Sequence, residues 1–158
     1  MKLVVIGNSG SGKSTFARRA AGEHGLVYFE LDAIVWEPHQ IGVARPIEAA
    51  RAELAAFIGA HERWVIEGCY GDLAEAALPA CTELIFMNPG VAACLANNRR
   101  RPWEPHKYDS AADQERMLPN LLAWVEGYYT RTDALSYAYH RSLFDAFAGS
   151  KRELAGDS

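Results

Sequence analysis

Lys2-Leu-Val-Val-Ile6-Gly7-Asn8-Ser9-Gly10-Ser11-Gly12-Lys13-Ser14-Thr15 stands at the start of the sequence, and its reading decides the fold. Lys2 to Ile6 is a short, β-branched apolar run of the kind found in strands covered on both faces. Gly7 to Ser14 matches G-x-x-x-x-G-K-[ST] and follows that strand directly. With 13 Gly, 4 Lys and 12 Ser plus Thr in the chain, shuffling would produce this pattern in roughly 0.2% of sequences. The spacing has a physical reason. Glycines let the backbone wrap closely round oxygen atoms, and successive N–H groups then converge on a phosphate at the positive end of the next helix. Lys13 adds a mobile charge for the β- and γ-phosphates, and Ser14 offers a hydroxyl to Mg²⁺. Gly7, Asn8, Ser9, Gly10, Ser11, Gly12, Lys13, Ser14 and Thr15 are therefore the expected nucleotide-binding residues.

Outward from the loop, Lys13 to His24 is helix-compatible and ends at Gly25, a fitting residue just past a helix C-terminus. Leu26 to Leu31 is a second apolar run. Pro46 suits a helix start, with Ile47, Ala50, Leu54, Phe57 and Ile58 at helical spacing. Trp64-Val-Ile66 and Leu84-Ile-Phe-Met87 read as a third and a fourth strand. Strands alternating with helices predict βαβ units with right-handed crossovers, hence a mostly parallel sheet covered by helices. The C-terminal third reads as helical, with a stripe of Leu118, Leu121, Leu122, Val125, Tyr128 and Tyr129 despite Pro119. Residues 142–147 are compatible with either the fifth strand or a last helix.

The bulk properties fit one domain spanning residues 1–158. The chain is 49% hydrophobic and 23% charged, which excludes disordered, collagenous and low-complexity classes. No apolar stretch reaches the ~20 residues of a membrane span, and the first apolar run is too short for a signal peptide. Sixteen basic against 20 acidic side chains give a net charge of −4, which argues against nonspecific nucleic-acid binding. Cys69, Cys81 and Cys94 lie far apart in sequence, a pattern of unpaired thiols in a reducing compartment, with the cytoplasm as the expected address. Neither they nor the five histidines show the spacing of a zinc site.

A GTPase would carry a guanine-reading N-K-x-D segment, and no Asn here precedes Lys. What remains is a small kinase or a small nucleotide-binding regulator. Glu30-Leu-Asp32-Ala-Ile-Val-Trp36-Glu-Pro38, Trp64-Val-Ile-Glu67-Gly68-Cys-Tyr70, Leu84 to Met87 and Cys94-Leu95 follow the loop in that order. Over roughly residues 1–101 the chain resembles the adenylate-kinase-like P-loop proteins called topology modulation proteins, relatives of adenylate and shikimate kinases. The resemblance implies the P-loop NTPase fold, a three-layer α/β/α sandwich round a mostly parallel five-stranded sheet, with ATP, Mg²⁺ and phosphoryl transfer to a small-molecule acceptor.

Residue by residue, it implies that Asp32 orients the acceptor hydroxyl or takes its proton, and that Glu67 holds Mg²⁺ through water together with Ser14. It places Arg99, Arg100 and Arg101 at a lid over 99–112, with Arg99 and Arg101 joining Lys13 and Asp32 as catalytic groups. Asn97 stands where the relatives usually carry an arginine, which favours the second reading, a regulatory ATPase acting through a partner. Arg45 and Arg51 are candidate anchors for an anionic acceptor. His140, Arg141 and Lys151 are candidates for an adenine border, whereas Trp36, Trp103 and Trp124 suit packing better than base stacking.

Overall fold

The computed structural model describes residues 1–38 and 40–156. Strand β1 (Lys2–Gly7) runs into the glycine loop and helix α1 (Lys13–His24). Strand β2 (Val27–Glu30) and the single-turn helix α2 (Asp32–Val35) lead to a small antiparallel hairpin, β3 (Trp36–Glu37) and β4 (Gln40–Ala44). Helix α3 (Ile47–Ala60), strand β5 (Trp64–Glu67), helix α4 (Gly71–Ala77), strand β6 (Glu83–Met87) and helix α5 (Val91–Arg99) follow. The C-terminal part comprises helices α6 (Ala111–Glu126) and α7 (Tyr137–Ala146), then strand β7 (Ser150–Leu154).

The main sheet has five strands in the order β2-β5-β1-β6-β7, and every neighbouring pair is parallel. Alternation along β1 explains how both faces are filled. Val4 and Ile6 join a core with Leu31, Leu54, Ile66, Leu84 and Phe86, while Leu3 and Val5 face Phe16, Ala17 and Ala20 of α1. A strand whose side chains are buried on both faces needs helices above and below, and α1 with α3, α4 and α7 supply them. Each fully buried Val, Leu, Ile or Phe contributes about 1.5–3 kcal/mol. Gly25 ends α1 in the left-handed conformation, φ 66°, donating its N–H to Ala21.

The fifth strand is Ser150–Leu154, not 142–147; the latter residues close α7 and its C-cap at Phe147. Serine, lysine, arginine and glutamate make poor core residues, but β7 is an edge strand and most of its side chains reach water. Its pairing is held by backbone bonds to β6, with Arg152 Nε 3.1 Å from Glu83 and Arg141 clamped on Glu153 at 2.7 Å. Charged residues on such an edge also discourage pairing with other chains. Helix α6 passes through Pro119 unbroken. Glu115, whose carbonyl loses its helical partner there, is exposed, so water can take its place. No helix among the described residues is long and apolar enough to cross a membrane.

Candidate functional site

The glycine loop sits at the carboxyl end of β1, at the edge where open α/β sheets bind ligands. Gly10 has φ 79°, and a Cβ there would lie 2.5 Å from both the Cys94 carbonyl and the Asn98 amide. Only glycine fits between the loop and α5. Gly12 precedes α1 with no side-chain cap on the helix, leaving the first-turn N–H groups available to an anion. The Lys13 side chain is buried, and its Nζ donates to the Asn8 carbonyl at 2.7 Å. Asn8 is itself anchored by Nδ2 on the Val125 carbonyl, 3.3 Å away.

Two asparagines of α5 hold the loop from outside. Asn98 donates to the Ser9 carbonyl (3.1 Å) and the Cys94 carbonyl (2.9 Å), and accepts from the Ser9 hydroxyl at 3.1 Å. Asn97 donates to the Gly10 carbonyl at 2.8 Å and accepts from Arg100 at 2.6 Å. Position 97 therefore has a defined task here: an amide that braces the loop stands where an arginine was expected. The GKS motif carries no hint of this brace, because helix periodicity does not distinguish a bracing amide from a solvated one.

Glu67 ends β5 and is buried. The Ser14 hydroxyl donates to Glu67 Oε1 at 2.9 Å, and the Tyr28 hydroxyl donates to the same oxygen at 2.6 Å. Burial, and then the neighbouring Glu67 carboxylate, push the Tyr28 phenol well up, so it remains a donor. Tyr28 belongs to the site, although as one residue of an apolar run it gave no separate signal.

Across from the loop, Asp32 opens α2. Tyr70 donates its hydroxyl to Asp32 Oδ1 and receives the Trp36 indole N–H at 3.0 Å. Lys107 reaches in from the segment after α5, with Nζ 2.9 Å from Asp32, 3.1 Å from Glu104 and 3.4 Å from Glu30. Burial works against the Asp32 carboxylate, yet the Lys107 ammonium and the Tyr70 hydrogen bond prevail and hold it below the usual range. Glu30 goes the other way, pushed up by burial with Asp32 and Glu67 beside it, against the pull of Lys107.

These groups open on one cavity of about 620 Å³, shared by Ser9, Lys13, Asp32, Glu67, Asn98 and Arg101. Its remaining wall is largely apolar, with Trp36, Tyr70, Met117, Leu118, Leu121, Trp124 and Leu135. The expected lid thus divides. Arg101 lines the cavity and pairs with Glu104 at 3.3 Å, whereas Arg99 is exposed on the helix end and lies off the cavity wall. Thr15 is exposed on the first turn of α1.

The other candidates lie elsewhere. Arg45 bonds Glu53 at 2.9 Å and the Ile34 carbonyl at 3.1 Å, and Arg51 is exposed on α3 away from the cavity. His140 is fully buried between the Tyr128 hydroxyl (2.7 Å) and the Cys69 carbonyl (2.8 Å). It supports the wall from behind and does not border a base. Lys151 donates to the Phe144 carbonyl at 2.7 Å. Trp36 and Trp124 face the cavity, and Arg131 stacks 4.5 Å over the Trp124 ring. All three cysteines are free thiols, and burial pushes Cys69 up to about 12, which leaves it protonated and unreactive.

No family model matches this sequence, and no curated protein does either. Solved structures do. The fold is similar to that of a sugar kinase from Janibacter sp. HTCC2649 (TM-score 0.53, 20% identity, 97% of this chain and 83% of that one). It is also similar to a gluconokinase from Sinorhizobium meliloti 1021 (0.52, 19%, 99% and 83%) and to a deoxyadenosine kinase from M. mycoides with bound dATP (0.56, 13%, 98% and 90%). At these identities the likeness concerns the fold, a five-stranded parallel sheet between helices of the P-loop NTPase class.

Proposed function

We propose that the protein is an ATP-dependent phosphotransferase acting on a small hydroxylated molecule. One observation carries this reading: a single cavity joins the phosphate loop and Lys13 to a carboxylate, Asp32, held on the opposite wall. The shared fold with proteins described as kinases supports it. The loop amides and Lys13 grip the β- and γ-phosphates, Lys13 exchanging the Asn8 carbonyl for a phosphate oxygen. Asp32 accepts a hydrogen bond from the acceptor hydroxyl and aims its oxygen in line. The new O–P bond forms at the γ-phosphorus as its bond to the bridging oxygen breaks. ADP leaves, and the hydroxyl proton passes to Asp32 or to water. A carboxylate held below the usual range is a weak base, which suits a loose transition state where positioning and charge matter most. Arg101 supplies further positive charge from the lid side.

Ser14 and Glu67 place two hard oxygens 2.9 Å apart, a donor set that fits Mg²⁺, which takes one or two protein oxygens and keeps several waters. Bound there, Mg²⁺ would supply charge neutralisation between the β- and γ-phosphates. Among the described residues no cluster of three His, Cys, Asp or Glu could hold a metal ion.

The test is ADP release with ATP, Mg²⁺ and a panel of nucleosides, nucleotides and small hydroxylated metabolites. Release that requires one acceptor is the expected result. Nucleotide binding with acceptor-independent or absent turnover would replace this reading with that of a regulator, for which the plugged state of Asp32 under Lys107 is the favouring observation.

A further inference from the structure

The acceptor half of the cavity differs in charge from the loop half. Lys107 and Arg101 are its cations, and both are already engaged: Lys107 by Asp32, Glu104 and Glu30, and Arg101 by Glu104. Three carboxylates thus face two positive charges. A carboxylate or phosphate on the acceptor would have to displace one of these partners and then sit beside it. Arginines elsewhere offer no relief, since Arg45 is bound to Glu53 and Arg131 to Asp133.

The wall chemistry narrows the acceptor further. Trp36 and Tyr70 have their polar atoms satisfied, the indole N–H on the Tyr70 hydroxyl and that hydroxyl on Asp32. What they present to the cavity is ring surface, and Leu121, Trp124 and Leu135 continue it. A polyol pressed against such a wall would lose water from hydroxyls that find no partner. A flat aromatic ring would lose little and gain stacking. Gln114 is committed at both ends, to the Glu104 N–H (2.8 Å) and the Pro102 carbonyl (3.0 Å). Asn120 also lines the cavity, and its amide has no bonded partner among the described residues, so it has a donor and an acceptor for a ring edge.

Resting on the phosphotransferase reading, we infer that the acceptor is an uncharged molecule with a hydroxyl for Asp32 and a flat aromatic ring for the Trp36–Trp124 wall, of the nucleoside class. Anionic sugar acids and nucleoside monophosphates are disfavoured by the carboxylates around Lys107.

Tryptophan fluorescence reads binding without requiring turnover. The protein, with Mg²⁺ and a non-hydrolysable ATP analogue, is titrated with the common ribo- and deoxyribonucleosides, their 5′-monophosphates, gluconate and shikimate, and ADP release with ATP is followed in parallel. At least one nucleoside should quench the signal at submillimolar concentration, with its monophosphate at least tenfold weaker. Glu104→Gln, which frees part of the charge on Lys107 and Arg101, should narrow that preference at least threefold. Tighter binding of an anionic acceptor overturns the inference, and if it drives ADP release the phosphotransferase reading survives. Nucleoside binding without ADP release keeps the inference and removes that reading. No quench by any nucleoside at millimolar concentration overturns it, as does an unchanged preference in Glu104→Gln.

Discussion

His140 makes the stability of the cavity wall depend on pH by an amount that can be worked out. The ring is fully buried in α7, with Nε2 2.8 Å from the Cys69 carbonyl and Nδ1 2.7 Å from the Tyr128 hydroxyl. A carbonyl can only accept, so Nε2 carries the proton and Nδ1 receives the phenol's. Burial lowers the ring's pKa from 6.5 to about 4, with a further push from Lys13, against the upward pull of the Cys69 carbonyl and Asp133. The unfolded chain therefore takes up a proton in a range where the folded one resists it. Stability is intact above about pH 6.5 and falls as the pH drops towards 4, with a limiting slope of about 1.36 kcal/mol per unit.

Between pH 6.5 and 4.5 the loss from this one group comes to about 2 kcal/mol. For a chain of this length that corresponds to a melting shift of roughly 4–8 °C. Urea unfolding followed by tryptophan fluorescence at pH 6.5, 5.5 and 4.5 measures it, with His140→Gln as the non-titrating reference. Other groups lose stability in acid too, including Glu153, held down by Arg141. They are common to both proteins, so the difference between the two curves isolates the imidazole. If His140→Gln loses as much stability as the parent over that window, the buried neutral ring is not what the wall rests on.

Lys13→Ala should lower turnover by about 10²-fold or more, since the charge on the transferred group loses its nearest cation; steady-state ADP release checks it. Asp32→Asn should keep nucleotide affinity within a few-fold and cut transfer by about 10²–10⁴; full transfer in this variant would remove Asp32 from the mechanism. Arg101→Ala should lower kcat at least tenfold while Arg99→Ala stays within about twofold, and equal effects would mean that the cavity wall does not mark the working arginine. Asn98→Ala breaks three hydrogen bonds, two between α5 and the loop and one to the Cys94 carbonyl within α5. At about 0.5–1.5 kcal/mol each it should cost roughly 2–4 kcal/mol in chemical unfolding, with weakened nucleotide binding; an undisturbed loop would show as unchanged affinity.

Local signals carried the fold where burial and propensity agree. The run from Lys2 to Ile6, the GKS loop and the Gly25 cap all lie within a few residues of what they specify, and β1, α1 and their junction follow. Strand β7 escaped because an edge strand is held by backbone bonds to β6, and backbone bonds leave no mark on side-chain composition. The site divides along the same line. Lys13, Ser14, Glu67 and Asp32 stand at the ends of strands or starts of helices, positions that a strand–loop–helix reading exposes. Lys107, Asn98 and Tyr28 reach the site from 89 to 39 residues away in contact terms, as with Ser9–Asn98 and Tyr28–Glu67. Those meetings are set by packing, and neither spacing nor composition encodes them.

The net charge of −4 looks unfavourable for the polyphosphate binding proposed above. What matters is how each cation near the cavity is held. Lys13 is bonded to a neutral carbonyl, so its full charge remains available to an incoming anion. Lys107, at the other end, is matched by three carboxylates and offers almost none. The loop end therefore keeps an available cation, Lys13, and its backbone N–H groups beside Glu67, whereas the Asp32 end is acidic with its cation already matched. On the phosphotransferase reading, a triphosphate is drawn to the first and repelled from the second. Screening makes this testable: raising the salt concentration should weaken the ATP analogue several-fold while leaving an uncharged acceptor nearly unaffected. Equal salt dependence for both would mean that the two ends do not differ in the way the carboxylates around Lys107 require.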